Sequence, residues 1–284
     1  MPSVYPEFYT RFACRAGRCR HSCCRGWEID VDAESAALYR ALPGKLGDAL
    51  RSALAEDEEG FHFRLDAQER CPFLQPDGLC RLICELGEEA LCDICALHPR
   101  FFSDCGEYEL AGLGLSCEAA AELLLESDAP LRFVSEGERF TLPELLARLG
   151  VACPEEALRF EPLLEREECA ALLGALAETE PIDAAWPEEL AALGRSLDET
   201  LAAARDYARR CDRGYYDRIL AYILYRQLDR LEEYPLETLL DYAPKSTAFV
   251  FLQAARDGDL AGHLRRWSEQ IEYSTENVEI LLNT

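Results

Sequence analysis

Thiols crowd one end of this chain. Eleven of its 14 cysteines fall within the first 117 of 284 residues. Four stand in FACRAGRCRHSCC, at Cys14, Cys19, Cys23 and Cys24, and seven more lie from Cys71 to Cys117. Core packing does not call for such grouping, since a buried free thiol serves a core only as a small apolar group. Thiolates are soft ligands that select zinc, copper(I) or iron–sulfur clusters. In a reducing compartment, grouped cysteines read as metal ligands or redox groups rather than disulfides. The expectation is that two separated cysteine groups converge on one metal centre.

Spacing sharpens this only in part. A structural zinc site uses two cysteine pairs, each with a few residues between its members. Cys92-x2-Cys95 makes one such pair and Cys19-x3-Cys23 another, with Cys24 adjacent. Side chains on neighbouring residues diverge, so one of Cys23 and Cys24 is expected as a ligand and the other as a supporting residue. Eleven thiols exceed one zinc site and suffice for one cubane cluster with spares, or for two metal sites. Three cysteines on a cubane leave one iron open to an amino-acid moiety; four close it. Five arginines and no acid occur from Arg11 to Arg25. That local basic patch reads either as an exposed loop or as charge that favours thiolate.

The rest of the chain excludes more than it assigns. A net charge of −25 argues against nonspecific binding to nucleic acid or anionic membrane. With 49% apolar residues the chain is globular. No run of about 20 apolar residues marks a membrane span, and no secretory signal opens the chain, so a cytoplasmic protein is expected. Only Lys45 and Lys245 are lysines, against 27 arginines. A compositional bias toward Arg and Ala is the simpler reading; a lysine-modifying enzyme that presents few lysines of its own is the sharper one.

Periodicity gives a mainly α fold, with a cysteine-rich, metal-binding N-terminal half holding a few short strands and a helical C-terminal half. The compositional break near Asp128 suggests two regions, 1–128 and 129–284. Residues 1–13 give no firm element. Trp27, Ile29 and Val31 alternate with acids, as do Phe61, Phe63 and Leu65 with His62 and Arg64, predicting two short strands. His62 then faces away from the phenylalanines and is not a first choice of ligand. Helices are predicted from Asp32 as N-cap to about Leu42, and over 45–54, 79–86 and the Cys92–Cys95 stretch. The acidic stretch Glu56–Glu59 reads as a loop, and 107–115 as a short strand or glycine-rich approach. Beyond 130, a capping box at Thr141 and Glu144 opens a series of helices at 141–149, 155–164, 167–178, 190–204, 216–228, 236–242, 247–257 and 260–273. Cys153, Cys169 and Cys211 read as core residues.

Taken in order, FACRAGRCRHSCCRGWEIDVD (12–32), FHFRL (61–65), CPFLQPDGLCRL (71–82), LGEEALCDICALHPR (86–100) and GLSC (114–117) resemble the flagellin lysine-N-methylase family. The resemblance spans roughly residues 5–120. It implies methylation of lysines on flagellin or a similar protein, S-adenosylmethionine as methyl donor, and a cysteine-bound iron–sulfur cluster, 4Fe-4S in the simplest case, with zinc as the alternative. A broader zinc- or iron-chelating pattern with a Cys-Cys pair is similar too. The family-like positions, hence the implied metal ligands, are Cys14, Cys19, Cys23, Cys24, Cys71, Cys80, Cys95 and Cys117. Cys84, Cys92 and Cys105 look like extras, and His98 stands where the family tends to carry an aromatic residue. Arg100 is the candidate partner for a carboxylate of donor or substrate, or else a helix-end arginine closing carbonyls. No glycine-rich loop of the dinucleotide-binding kind is present. A non-catalytic iron–sulfur or zinc protein with a structural, redox or partner-binding role is the competing reading. Catalytic residues and oligomeric state are not indicated.

Overall fold

The computed structural model describes residues 1–58 and 60–284. Glu59, the end of the expected acidic loop, lies outside the described residues. Helix accounts for 55% of the chain and strand for 13%, so the fold is mainly α. Two compact units emerge: a cysteine unit, Ala13–Pro99, and a helical unit made of Met1–Phe12 with Arg100–Thr284. The compositional break at 128/129 falls inside the helical unit.

The first strand, β1 (Ser3–Pro6), belongs to the helical unit. The cysteine unit then begins with loops and a short strand, β2 (Asp30–Val31). Asp32 follows as the N-cap of α1 (Ala33–Ala41) and accepts a hydrogen bond from the Ser35 N–H at 2.8 Å, as its sequence position predicts. Its second oxygen takes the Asp93 N–H at 3.0 Å. Next come α2 (Gly44–Ala53), β3 (Leu54–Glu56) and β4 (Phe61–Phe63). These strands form a three-stranded antiparallel sheet in the order β2-β4-β3. Strand β3 lies where only a helix end and a loop are expected; Leu54 turns inward to pair with Phe63, so tertiary pairing overrides the local helical pattern. Two short helices close the unit, α3 (Arg81–Leu86) and α4 (Asp93–Leu97). Its core is small: Ile29, Val31, Tyr39, Leu50, Phe63, Phe73 and Leu82 pack together with Cys71 and Cys92.

The helical unit resumes with β5 (Arg100–Cys105) and β6 (Tyr108–Leu113), a tight hairpin. After α5 (Glu118–Leu125), a second hairpin forms from β7 (Arg132–Ser135) and β8 (Glu138–Thr141). Strand β1 joins the two hairpins, parallel to β6 and antiparallel to β7, giving a sheet in the order β5-β6-β1-β7-β8. The sequence reading leaves residues 1–13 without an element and gives the C-terminal half no strands. For β1 the reason is distance, since its partners lie over a hundred residues away; β7 and β8 are a local hairpin closed at Glu136 and Gly137, a turn signal that a wholly helical reading of 129–284 leaves out.

The remaining helices are α6 (Leu142–Arg148), α7 (Arg166–Ala177), α8 (Ala185–Arg195), α9 (Leu197–Ala208), α10 (Gly214–Tyr225), α11 (Leu236–Asp257), α12 (Leu260–Trp267) and α13 (Thr275–Leu282). The capping box at Thr141 and Glu144 is present. The expected helix over 155–164 reduces to one 3-10 turn, Glu155–Leu158. The two helices expected over 236–257 are one, running through Pro244. Pro244 loses one ladder hydrogen bond, but buried residues on both sides hold the axis continuous. Between α12 and α13 the backbone passes through a π-helical turn, Ser268–Glu272.

Helix α10 is pinned to the sheet by two tyrosines. Tyr222 accepts from the Leu113 N–H at 2.7 Å and donates to the Leu113 carbonyl at 2.8 Å. Tyr225 donates to Val4 and Ala111 carbonyls at 2.7 and 2.9 Å. A side chain at Gly112 would strike the Phe101 ring and the Tyr222 hydroxyl. This glycine admits packed rings, which is why 107–115 is a strand and not a ligand-binding loop. No helix among the described residues is long and apolar enough to cross a membrane.

Candidate functional site

The cysteine unit brings its two thiol groups together through backbone contacts that small residues permit. The first group is carried on loops between Ala13 and Gly26, the second on the Cys71–Cys80 turn and α4. A Cβ on Gly17 would lie 2.5 Å from the Asp77 carbonyl oxygen, and one on Gly78 would lie 2.8 Å from the Gly17 Cα. Glycine at both positions is what lets the first loop touch the second. The Cys71 N–H donates to the Cys24 carbonyl at 2.9 Å, and Arg25 bridges Arg70 beside it. The Cys71–Cys80 segment folds back on itself: Leu74 bridges Cys80, and the Arg81 N–H reaches the Phe73 carbonyl at 2.8 Å. Cys92 caps α4, its carbonyl accepting from Cys95 and Ala96.

Five buried or half-buried thiols thereby feel one another, those of Cys24, Cys71, Cys80, Cys92 and Cys95, with the exposed Cys23 and Cys84 acting on Cys24 and Cys80. The Cys23 thiol donates to Cys24 and brings the Cys24 pKa down to about 7 against the effect of burial, with help from Ser22. Cys71 is pushed up to about 12 by burial, and charge on Cys24 or Cys80 opposes its ionisation further. Burial raises Cys80 also. Cys95 donates to Cys92, which lowers Cys92 and drives Cys95 far up, where Cys24 and Cys71 add to the effect. Such mutual opposition means that the cluster cannot lose all its protons unless a cation joins it.

The expected ligands separate into three sets. Cys24, Cys71, Cys80 and Cys95 belong to the mutual cluster. Cys14, Cys19 and Cys23 are carried on the first loops of the same unit; Cys23 bonds Cys24, and Cys14 is exposed with its sulfur accepting the Ala16 N–H at 3.3 Å. Cys117 belongs to the helical unit, where it precedes α5. Cys92, set aside as an extra, is wholly buried and hydrogen-bonded within the cluster. The Cys92-x2-Cys95 spacing already marked it. Cys105 packs in the helical core and donates to the Leu228 carbonyl at 3.2 Å. Arg100 is not at a helix end; it opens β5, with its guanidinium 5.1 Å above the Phe12 ring.

Whether these residues suit a metal can be judged from the donors themselves. They are soft in kind and sufficient in number for zinc or a cluster. Cys24 is bonded to Cys23 and Cys92 to Cys95, and among the described residues no three His, Cys, Asp or Glu side chains converge closely enough to hold a metal ion. The donor set therefore fits in chemistry, while the thiols would have to exchange their protons and close in to bind.

Curated relatives exist. The chain is 32% identical over 135 residues to the lysine-N-methylase of Salmonella typhimurium, a match covering 44% of this chain and 33% of that protein. The lysine-N-methylase of Salmonella choleraesuis is 31% identical over the same length. The flagellar biosynthetic protein FliU of Salmonella muenchen is 30% identical over 154 residues, covering 50% of this chain and 88% of FliU. The match thus spans about a third of the length of the two lysine-N-methylases. No family model matches the chain. No solved structure matches it either.

Proposed function

Because the chain belongs to the flagellin lysine-N-methylase family, we propose that it is a protein lysine N-methyltransferase. Its substrate would be flagellin or a similar protein, its methyl donor S-adenosylmethionine, and its cofactor an iron–sulfur cluster. The relatives' names support the methyltransferase part. The observation that carries the cofactor part is the meeting of five thiols, from stretches at Cys24 and at Cys71–Cys95, in one small unit.

On this reading Cys24, Cys71, Cys80 and Cys95 hold the cluster. Cys92 supports Cys95 through their hydrogen bond. Cys14, Cys19, Cys23 and Cys117 remain further candidates. A bound cluster would supply iron able to chelate the amino-acid end of the methyl donor. The arginines at 15, 18, 20 and 25 lie on the same loops as the first thiols, where positive charge favours thiolate and an anionic cluster. Arg100, at the start of β5, is the proposed partner for a carboxylate of donor or substrate.

A second reading rests on the small core. Two buried residues of the cysteine unit's core, Cys71 and Cys92, are thiols among aliphatic and aromatic neighbours. Small units often depend on a metal to supplement such a core. A non-catalytic zinc or iron–sulfur protein would have the same anatomy.

Anaerobic purification with iron, acid-labile sulfide and zinc analysis separates the two readings. About four iron and four sulfide per chain, a visible absorption band perturbed by S-adenosylmethionine, and methyl transfer to a flagellin lysine are expected. Stoichiometric zinc without sulfide, and a chain indifferent to the donor, would leave the structural reading.

A further inference from the structure

The cysteine unit contains a cavity of about 380 Å³, walled by Trp27 and Glu28 before β2, by His62 and Phe63 of β4, and by Glu69. Two of its walls are joined where the Phe63 N–H bonds the Ile29 carbonyl at 3.0 Å, and the third where the Gly26 N–H bonds the Glu69 carbonyl at 2.9 Å. We propose that this cavity receives the side chain of the substrate lysine, its alkyl stem along Trp27 and its ammonium between the carboxylates of Glu28 and Glu69. The inference rests on the lysine-methylating reading given above and adds to it the place where lysine would enter.

Charge is the first argument. Two basic side chains border the cavity, and each has a partner of its own. His62 Nδ1 lies 3.3 Å from the Asp57 carboxylate, and the Arg64 guanidinium donates to the Ser52 carbonyl at 3.2 Å. Glu28 and Glu69 carry no ion pair among the described residues. A concavity with two uncompensated carboxylates and an indole favours a cation on an apolar stem, by charge and by cation–π attraction. Among the described residues no group of three His, Cys, Asp or Glu side chains that could hold a metal ion forms there.

Backbone geometry is the second. Glu69 holds φ of 54°, in the left-handed region that a non-glycine residue rarely occupies. The turn around it is over-determined: Asp66 accepts from the Gln68 and Arg70 N–H groups, and the Glu69 N–H bonds the Asp66 carbonyl. Glycine or asparagine would fit that conformation better. A glutamate kept there in spite of its backbone points to use of its carboxylate.

Location is the third. Gly26 follows Cys24 by two residues and Glu69 precedes Cys71 by two, so the cavity's edge lies within about 7 Å of the thiol cluster's backbone. A lysine held here would stand next to the proposed donor site.

Trp27 makes the test direct. The other two tryptophans, Trp186 and Trp267, are buried in the helical unit. In the full chain labelled with nitrogen-15, the Trp27 indole signal, assigned with Trp27→Phe, is followed while acetyl-Ala-Lys-Ala-amide is added. A saturable shift is expected. Peptides with norleucine or arginine in place of lysine should move the signal much less. Glu69→Asn, which suits the same backbone, should weaken lysine binding about fivefold and leave the unit folded. A Trp27 signal that does not move, an equal response to norleucine or arginine, or an unchanged affinity in Glu69→Asn overturns the proposal. Methyl transfer to the peptide without any Trp27 response would sink this cavity and leave the methyltransferase standing. A Trp27 response without methyl transfer under donor-loaded, anaerobic conditions would do the reverse.

Discussion

Cys105 and Cys169 in the helical unit are as buried as Cys71 and Cys92 in the cysteine unit, yet their surroundings differ. Cys105 and Cys169 bond backbone carbonyls rather than other thiols. Cys105 donates to the Leu228 carbonyl and Cys169 to the Leu163 carbonyl, and burial pushes both up to about 11. They are satisfied, protonated and inert. In the cysteine unit the thiols face other thiols, and each one's charge opposes its neighbours' ionisation. Burial alone thus does not tell a structural cysteine from a ligand. The partner does: a carbonyl closes a thiol's chemistry, whereas another thiol leaves a shared demand for positive charge.

The largest effect should come from breaking the thiol cluster. Cys71→Ser and Cys95→Ser are each expected to drop bound metal to less than about a tenth of the native content, measured by elemental analysis after anaerobic purification. Cys105→Ala and Cys169→Ala should leave metal content unchanged. Equal loss in both pairs would erase the distinction between the units.

The helical unit has its own buried charge, held without any thiol. Arg226 and Glu272 form an ion pair at 3.2 Å, with the Arg226 guanidinium also 4.3 Å over the Phe101 ring. Glu272 ends the π-helical turn and takes the Ser268 hydroxyl on its other oxygen. The pair is imperfectly aligned: Arg226 Nε and Nη1 and Glu272 Oε1 make no hydrogen bond. Removing one partner would strand a buried charge, so Glu272→Ala should cost about 3–5 kcal/mol. Replacing both, as Arg226→Met with Glu272→Leu, should recover most of that. Urea denaturation followed through the helical signal checks it. The metal content of the folded fraction should stay as it was, which would show that the helical unit's buried charge serves its own stability alone.

How much of this could be read along the chain follows the same division. Local patterns were sufficient for α1, with Asp32 as its cap, and for α6, with its capping box, because each signal lies within one turn. The thiol groups stood out by composition alone. Cys92 is marked by its spacing to Cys95, although the family resemblance leaves it among the extras. What no local pattern carried was the parallel pairing of Ser3 and Val4 with Glu109 and Leu110, or the approach of Gly17 to Gly78. Both depend on residues distant in sequence, and glycine's meaning here is the space it leaves, not a preference it expresses. The Glu69 turn was equally hidden, since a glutamate in left-handed backbone contradicts its own residue type.

A smaller effect tests the charge within the cluster. Cys24, brought to about 7 by the Cys23 thiol, should be the first of the five to react in the metal-free chain. Its alkylation by iodoacetamide should rise through pH 7, while Cys71, held near 12, stays unmodified up to pH 9. Peptide mapping by mass spectrometry reads both. Cys23→Ala removes the donor and should move the Cys24 profile toward the ordinary thiol range. The sign for stability follows: a thiol whose folded pKa lies below the unfolded 9.0 contributes fully above pH 9, and that contribution is lost as pH falls through 7. Cys105, pushed the other way, contributes at pH below 9 and loses its contribution as pH rises through 11.

The smallest expected effect lies at His98, the residue next to Pro99 at the end of the cysteine unit. Its Nε2 is shut off from solvent with no hydrogen-bond partner, and burial lowers its pKa below the model-compound value of 6.5. The unfolded chain therefore binds a proton on this ring at a pH where the folded chain does not. Stability from this source is complete above pH 6.5 and declines as pH falls toward the folded value. His98→Phe removes both the stranded nitrogen and the proton uptake. At pH 7.5 it should leave the unit as stable as before or slightly more so, by less than about 1 kcal/mol. At pH 5 the gain over the native chain should be larger, because carboxylate protonation is common to both proteins and only the native one still loses the histidine contribution. Urea midpoints at the two pH values, followed by the Trp27 indole signal in the nitrogen-15-labelled chain, give the difference directly. A gain that is equal at both pH values would mean that the ring is hydrogen-bonded to water in solution.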